Sequence, residues 1–267
     1  MFTELDERVS FKNHLKPTHQ KRKKIMKKSI NQKLEELYQS KWENLSNALN
    51  QIIKDENYVV KPTNPLLLKH RECDAYEDAE IRVMIIGQET NDWGFDEEGY
   101  FWDDMEDVLE MYQEFFSGYR FESHRGFFKN HFNGFLKLLE DKYPEKKMSC
   151  FWNNVIKIGK ANDKNTPPEY ILDIEQKYFS VLKEEIEIIK PNVILFYTGH
   201  AYDKYVLHHF PELVKEDISG FNSSELQSFK IDNVHYAFRT PHPQGLHFQG
   251  KERYNMIYDK IIAEIIF

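Results

Sequence analysis

The chain has 267 residues, with 36 Lys and Arg against 44 Asp and Glu for a net charge of −8, and aromatic residues make up 15% of it. That aromatic content excludes a chain disordered throughout, and apolar runs such as Val83–Ile86 and Val193–Tyr197 fall far short of the roughly 20 residues that span a bilayer. Two cysteines, Cys73 and Cys150, with no C-x-x-C pair exclude a disulfide framework, a Cys-rich zinc site and a four-Cys iron–sulfur cluster.

The chain opens on a basic arm. Ten Lys and Arg lie between Arg8 and Lys33 with no acid among them, a pattern that suits contact with nucleic acid. No charged-then-apolar signal pattern precedes it, so a cytoplasmic protein is expected. Leu34, Leu37, Tyr38, Leu45, Leu49 and Ile52 recur at helical spacing and predict an amphipathic helix over 31–54. Residues 1–60 thus read as a basic arm with a helical extension, and 61–267 as the main domain. Lys61–Leu68 holds two prolines and reads as an extended lead-in. Arg82–Gly87 is a short apolar strand, and helices are expected over 105–116 and 127–140. Nine acids and no Lys or Arg fall between Asp96 and Glu114, a block that would repel phosphate near a DNA groove. A second strand lies within Met148–Ile158. One long helix is expected over Pro168–Lys190, strands over Asn192–Tyr197 and Val234–Arg239, and a closing helix over Gly250–Ile266.

Strands alternating with helices predict a three-layer α/β/α fold on a central, mainly parallel four-stranded sheet. Ligands of such sheets bind beyond the carboxyl ends of the strands. Here those ends read Gly87-Gln88-Glu89-Thr90-Asn91-Asp92, Asn153-Asn154, Thr198-Gly199-His200 and Thr240-Pro241-His242-Pro243-Gln244-Gly245. All four deliver hydrogen-bonding residues to one edge. Glu89 can hold a water or stabilise a developing cation. Asn153 offers a donor and an acceptor to a heterocycle edge. His242 sits between two prolines, which stiffen the backbone that carries it. His208, His209, His235 and His247 show no H-E-x-x-H or similar spacing, so no metal is assigned.

In this order, a strand ending in G-Q-E, a strand leading into F-W-N-N-V, then P-N-V-I-L-F-Y-T-G and T-P-H-P-Q-G-L, the chain resembles the uracil-DNA glycosylase superfamily over roughly 80–267. The resemblance implies hydrolysis of the N-glycosidic bond of uracil or a damaged base in DNA, as in base-excision repair, with no cofactor. It implies nucleic acid, single strands included, or a free nucleobase as partner. Glu89 stands where the family carries the Asp that places the attacking water. Gln88 lies against the base through its backbone, Asn153 matches the Asn that reads the uracil edge, and His242 matches the His that meets the base carbonyl. Leu246 falls at the position of the DNA wedge. The aromatic that stacks on the base is to be sought among Tyr119, Phe121, Phe127 and Phe128, with Phe121 assigned here.

The departures carry consequences of their own. Thr90-Asn91-Asp92 stands in place of Pro-Tyr-His, the wall that excludes a methylated base, and Gln244-Gly245 replaces Ser-Pro. Glu in place of Asp extends the carboxylate by about 1.5 Å. These differences keep open a rival expectation, a non-catalytic member of the fold that binds a nucleobase, single-stranded nucleic acid or a protein.

Overall fold

The structure, a computed structural model, describes residues 28–70, 72–90, 104–117 and 126–267. Most of the basic arm, Asn91, Asp92, the start of the acidic block, Tyr119 and the expected stacking residue Phe121 lie outside the described residues.

The elements run α1 (Ile30–Lys54), α2 (Cys73–Glu77), β1 (Ile81–Glu89), α3 (Met105–Ser117), α4 (Phe127–Lys142), β2 (Met148–Ile156), α5 (Glu169–Tyr178), α6 (Leu182–Ile189), β3 (Val193–Phe196), a 3₁₀ turn (His200–Tyr202), α7 (Asp203–His209), β4 (Val214–Asp217), β5 (Gln227–Lys230), β6 (Tyr236–Arg239), α8 (Pro243–Phe248) and α9 (Lys251–Glu264). The sheet has the order β2-β1-β3-β6-β5-β4. Its first four strands are the four expected from sequence, and all pair in parallel.

The expected count of four strands is corrected by β5 and β4, which continue the sheet antiparallel beyond β6. Each has four residues, and every residue of β4 is exposed. A strand that buries nothing leaves no period-two apolar signal. The single helix expected over Pro168–Lys190 is two. Its first half ends at Tyr178, after which Phe179 takes a non-helical conformation and is fully buried. Ser180 turns its hydroxyl to His209 Nδ1 at 3.0 Å. The break allows Phe179 and Val181 to enter the core, which an unbroken helix would prevent for at least one of them.

Alternation along each strand divides the core into two. On one face Met84, Ile86, Phe151, Val155, Ile194 and Phe196 pack against α1, α3, α5, α6 and α7. On the other, Val83, Ile85, Trp152, Leu195, Tyr197 and Phe238 pack against α4 and α9. The layers are therefore α/β/α. Helix α1 starts with a capping box, in which Ser29 and Gln32 exchange side-chain and backbone hydrogen bonds. Leu34, Tyr38, Leu45 and Leu49 along it are fully buried in the same core as the sheet.

Candidate functional site

The carboxyl ends of the parallel strands meet at one edge and are stitched together there. Gln88 Nε2 donates to the Thr198 carbonyl at 2.8 Å, joining the end of β1 to the end of β3. Gly199 N donates to Thr240 O at 2.9 Å, joining β3 to the loop that carries His242.

Gly87 makes room for two side chains at this edge. A Cβ at this position would stand 2.5 Å from Asn154 Oδ1 and 3.1 Å from a Phe128 ring carbon. Only glycine lets the Asn154 amide and the Phe128 ring approach the backbone of β1 this closely. Phe128 stacks on Trp152 with centroids 4.4 Å apart and planes 17° apart, meets Tyr197 edge-on at 5.7 Å, and lies 6.3 Å from the His242 ring. Asn154 Oδ1 accepts from the Trp152 indole at 3.4 Å, which leaves its Nδ2 without a partner among the described residues. An aromatic ring, an amide with its donor unengaged among the described residues and a histidine thus converge over Gly87.

Asn153 is corrected by the same alternation. Neighbouring residues of a strand point to opposite faces, and Asn153 points away from Gly87 into the α1 side of the sheet. It is fully buried, donates to Glu185 Oε2 at 2.8 Å and accepts from Lys157 Nζ. Lys157 and Glu185 form a salt bridge at 2.6 Å with neither side chain exposed, and Tyr38 OH donates to Glu185 Oε1 at 2.6 Å. Burial drives the Lys157 pKa down while Glu185 holds it up. Asn153 completes the hydrogen bonding of a buried ion pair, and the amide over Gly87 is that of Asn154.

Glu89 ends β1, paired with Ile156 across the sheet. It is 9% exposed. Tyr202 OH, which also contacts Thr166 Oγ1 at 2.8 Å, donates to Glu89 Oε2 at 2.5 Å. Burial raises the Glu89 pKa, and the Tyr202 bond and the charge of Lys160 pull it back. Its other oxygen has no partner among the described residues. A carboxylate held in this way is fixed by one oxygen and offers the second to a ligand or a water.

His242 is the N-cap of α8, with Pro243 at the first helical position. Its Nδ1 accepts from Gln244 N at 3.3 Å. Burial pushes its pKa down to about 4. The ring is therefore neutral at pH 7 with the proton on Nε2, a donor and not a cation.

Leu246 is corrected too. It is fully buried among the residues between the sheet and α9, so it presents nothing to a base stack. Two residues on, Phe248 is 73% exposed and lies 6.1 Å from the Phe127 ring. A six-residue helix that starts at Pro243 turns residue 246 inward and leaves residue 248 at its open end.

Sequence reasoning missed Tyr202 and Trp152, and of the pair Asn153-Asn154 it assigned the role to the first. Asn154 was within reach, because counting in twos from Trp152 gives its face. Tyr202 carries no sequence signal, since it meets Glu89 only through the 3₁₀ turn after β3.

No curated protein matches the chain in sequence. The family model described as the uracil DNA glycosylase superfamily matches residues 74–265, from α2 through α9 and including the whole sheet. With the strand ends, the cleft and most of the chain inside that match, the chain belongs to the uracil-DNA glycosylase superfamily.

Proposed function

We propose that the cleft takes up a uracil-like base extruded from DNA and that Glu89 and His242 cleave its N-glycosidic bond. The observation that carries this reading is the convergence of the Phe128 ring, the Asn154 amide and a neutral His242 over Gly87 at the carboxyl ends of the strands. Asn154 takes the base-reading role expected of Asn153, and Phe128 takes the stacking role expected of Phe121.

The chemistry follows from charge. Breaking the bond sends its electron pair to the base and leaves a cation on the sugar. Glu89 lies where a carboxylate lowers the cost of that cation and orients a water, whose oxygen bonds to the sugar carbon. His242 donates through Nε2 to the base carbonyl as negative charge builds there. One water proton leaves to Glu89 and is returned to the departing base or to solvent. Extruding a base costs a few kcal/mol, which the stacking and edge contacts offset.

The test is incubation of the purified protein with uracil-containing single- and double-stranded oligonucleotides, followed by alkali. Cleaved strands at the uracil position are expected. Intact strands together with measurable binding would give the second reading, a non-catalytic binder. That reading is favoured by the Tyr202 contact, which engages one oxygen of the only carboxylate proposed for the chemistry.

A further inference from the structure

A recess of about 300 Å³ opens at the amino ends of the parallel strands, where Arg82 of β1 meets the turns that lead into β3 and β6. Its volume is at the lower end of the range for small-molecule sites. Arg82 stands about 23 Å from Glu89 on the rise of one strand, so the recess takes no part in the chemistry of the cleft.

The recess contains a cation without a partner. Arg82 is half-buried. Its Nε is shielded from water and has no hydrogen-bond partner, and no carboxylate pairs with its guanidinium among the described residues. Burial raises the pKa of the neighbouring Tyr76 hydroxyl and the Arg82 charge pulls it back, yet that hydroxyl too is without a hydrogen bond. Of the three buried side-chain polar atoms that lack a partner among the described residues, two are therefore at this end of β1. Buried polar groups are nearly always paired, and a charged donor taken from water without an acceptor is costly.

Asn192 is held beside the arginine. Its Oδ1 accepts from Arg82 N at 2.7 Å, and its own backbone N donates to Arg82 O at 2.7 Å. With that oxygen engaged, Nδ2 is an uncommitted donor among the described residues. The exposed side chains of Glu187, Lys190 and Asp232 line the mouth. Two cations and two acids thus balance in one recess, and none of the four is in an ion pair among the described residues. The guanidinium fork matches a carboxylate or a phosphate, but a phosphate dianion would face Glu187 and Asp232. A carboxylate with a cationic neighbour meets both signs of charge.

We propose that this recess binds a small zwitterion with a carboxylate and an ammonium one carbon apart, the chemistry of a free amino acid. The carboxylate lies on the Arg82 fork and accepts from Asn192 Nδ2, and the ammonium turns to Glu187 and Asp232 at the mouth.

The experiment follows the Arg82 Nε–H signal by ¹H–¹⁵N NMR on the full chain. Glycine is titrated alongside glycolate, which exchanges the ammonium for a hydroxyl, methylamine, which lacks the carboxylate, and inorganic phosphate. The expected result is a saturable shift with glycine, about threefold weaker binding of glycolate, on the scale of an exposed ion pair, and no shift with methylamine. Arg82→Met should abolish glycine binding, read on the Asn192 side-chain amide, and keep the Tm measured without ligand, because the guanidinium has no internal partner to lose. Glu187→Gln with Asp232→Asn leaves Arg82 in place and should bring glycine down to the affinity of glycolate. An Arg82 signal unmoved by glycine, equal binding of glycolate in the wild type, tighter binding of phosphate, or glycine binding that survives Arg82→Met overturns the proposal.

Discussion

Tyr202 and Glu89 are 113 residues apart in sequence, yet the tyrosine hydroxyl holds one oxygen of the carboxylate at 2.5 Å. The bond does two things. It fixes the longer acid in one direction, and it favours the charged form against the burial that opposes it.

Removing that bond should therefore raise the Glu89 pKa. In Tyr202→Phe the acidic limb of the cleavage rate against pH is expected to move to higher pH. His242, neutral from about pH 5 upward, contributes no limb of its own between pH 5 and 8. A limb that stays in place in Tyr202→Phe would show that Glu89 does not control the rate.

Glu89→Gln keeps the shape of the side chain and removes its charge. Cleavage should fall by ~10²-fold or more, on the scale of losing one preorganised electrostatic group, while affinity for a uracil-containing strand changes little. Stability should move the other way. The folded-state pKa is raised, so the wild type loses stability as pH rises from the unfolded value through the folded one. The variant escapes that loss, and its Tm at pH 7 should exceed that of the wild type, with the advantage disappearing in acid. Thermal melts at the two pH values check this.

The two adjacent asparagines should separate fold from function. Asn153→Ala strips a partner from a buried ion pair and is expected to cost about 2–4 kcal/mol of stability. Asn154→Ala should leave the melting curve near that of the wild type and weaken recognition of the base. Denaturant unfolding and binding, measured on both variants, give opposite orders if the assignment holds. The same contrast applies on α8. Leu246→Ala should destabilise by about 2–5 kcal/mol as a core truncation, and Phe248→Ala should change stability by less than about 0.5 kcal/mol as a surface change.

Deleting residues 1–27 removes eight of the ten basic residues of the arm and stops short of the capping box at Ser29. Binding to nucleic acid should then depend less steeply on salt, because fewer counterions are released. A plot of log K against log salt with an unchanged slope would mean that the arm does not touch the strand.

Most of the parallel core was legible because β1, β3 and β6 are short apolar runs ahead of a polar turn, whereas β2 carries Asn153 and Asn154 inside the strand, and helix 31–54 was legible because its buried residues repeat at 3.6. Of the two asparagines, Asn154 lies over Gly87 and Asn153 on the opposite face. Asn153 and Asn154 have the same side chain, and only the face they take, set by Trp152 and Gly87, separates them. Leu246 was assigned to the surface by motif alone, but the helix that begins at Pro243 rotates it inward. The strands β4 and β5 carry too little buried apolar surface to be seen, and Tyr202 reaches Glu89 by tertiary placement that no local pattern encodes.

The hydroxyl of Tyr38 reaches past the lead-in segment, accepting from Leu68 N at 3.0 Å while it donates to Glu185. Helix α1 is thus bolted to β2 and α6 through a charge pair that has no access to water. The segment matched by the family model, cut out at residue 74, would leave Glu185 short of a hydrogen-bond donor and remove Leu34, Tyr38, Leu45 and Leu49 from the core they share with the sheet. A piece trimmed to the family boundaries should misfold or precipitate, and attempts to obtain this protein in working form should keep everything from Lys28 onward.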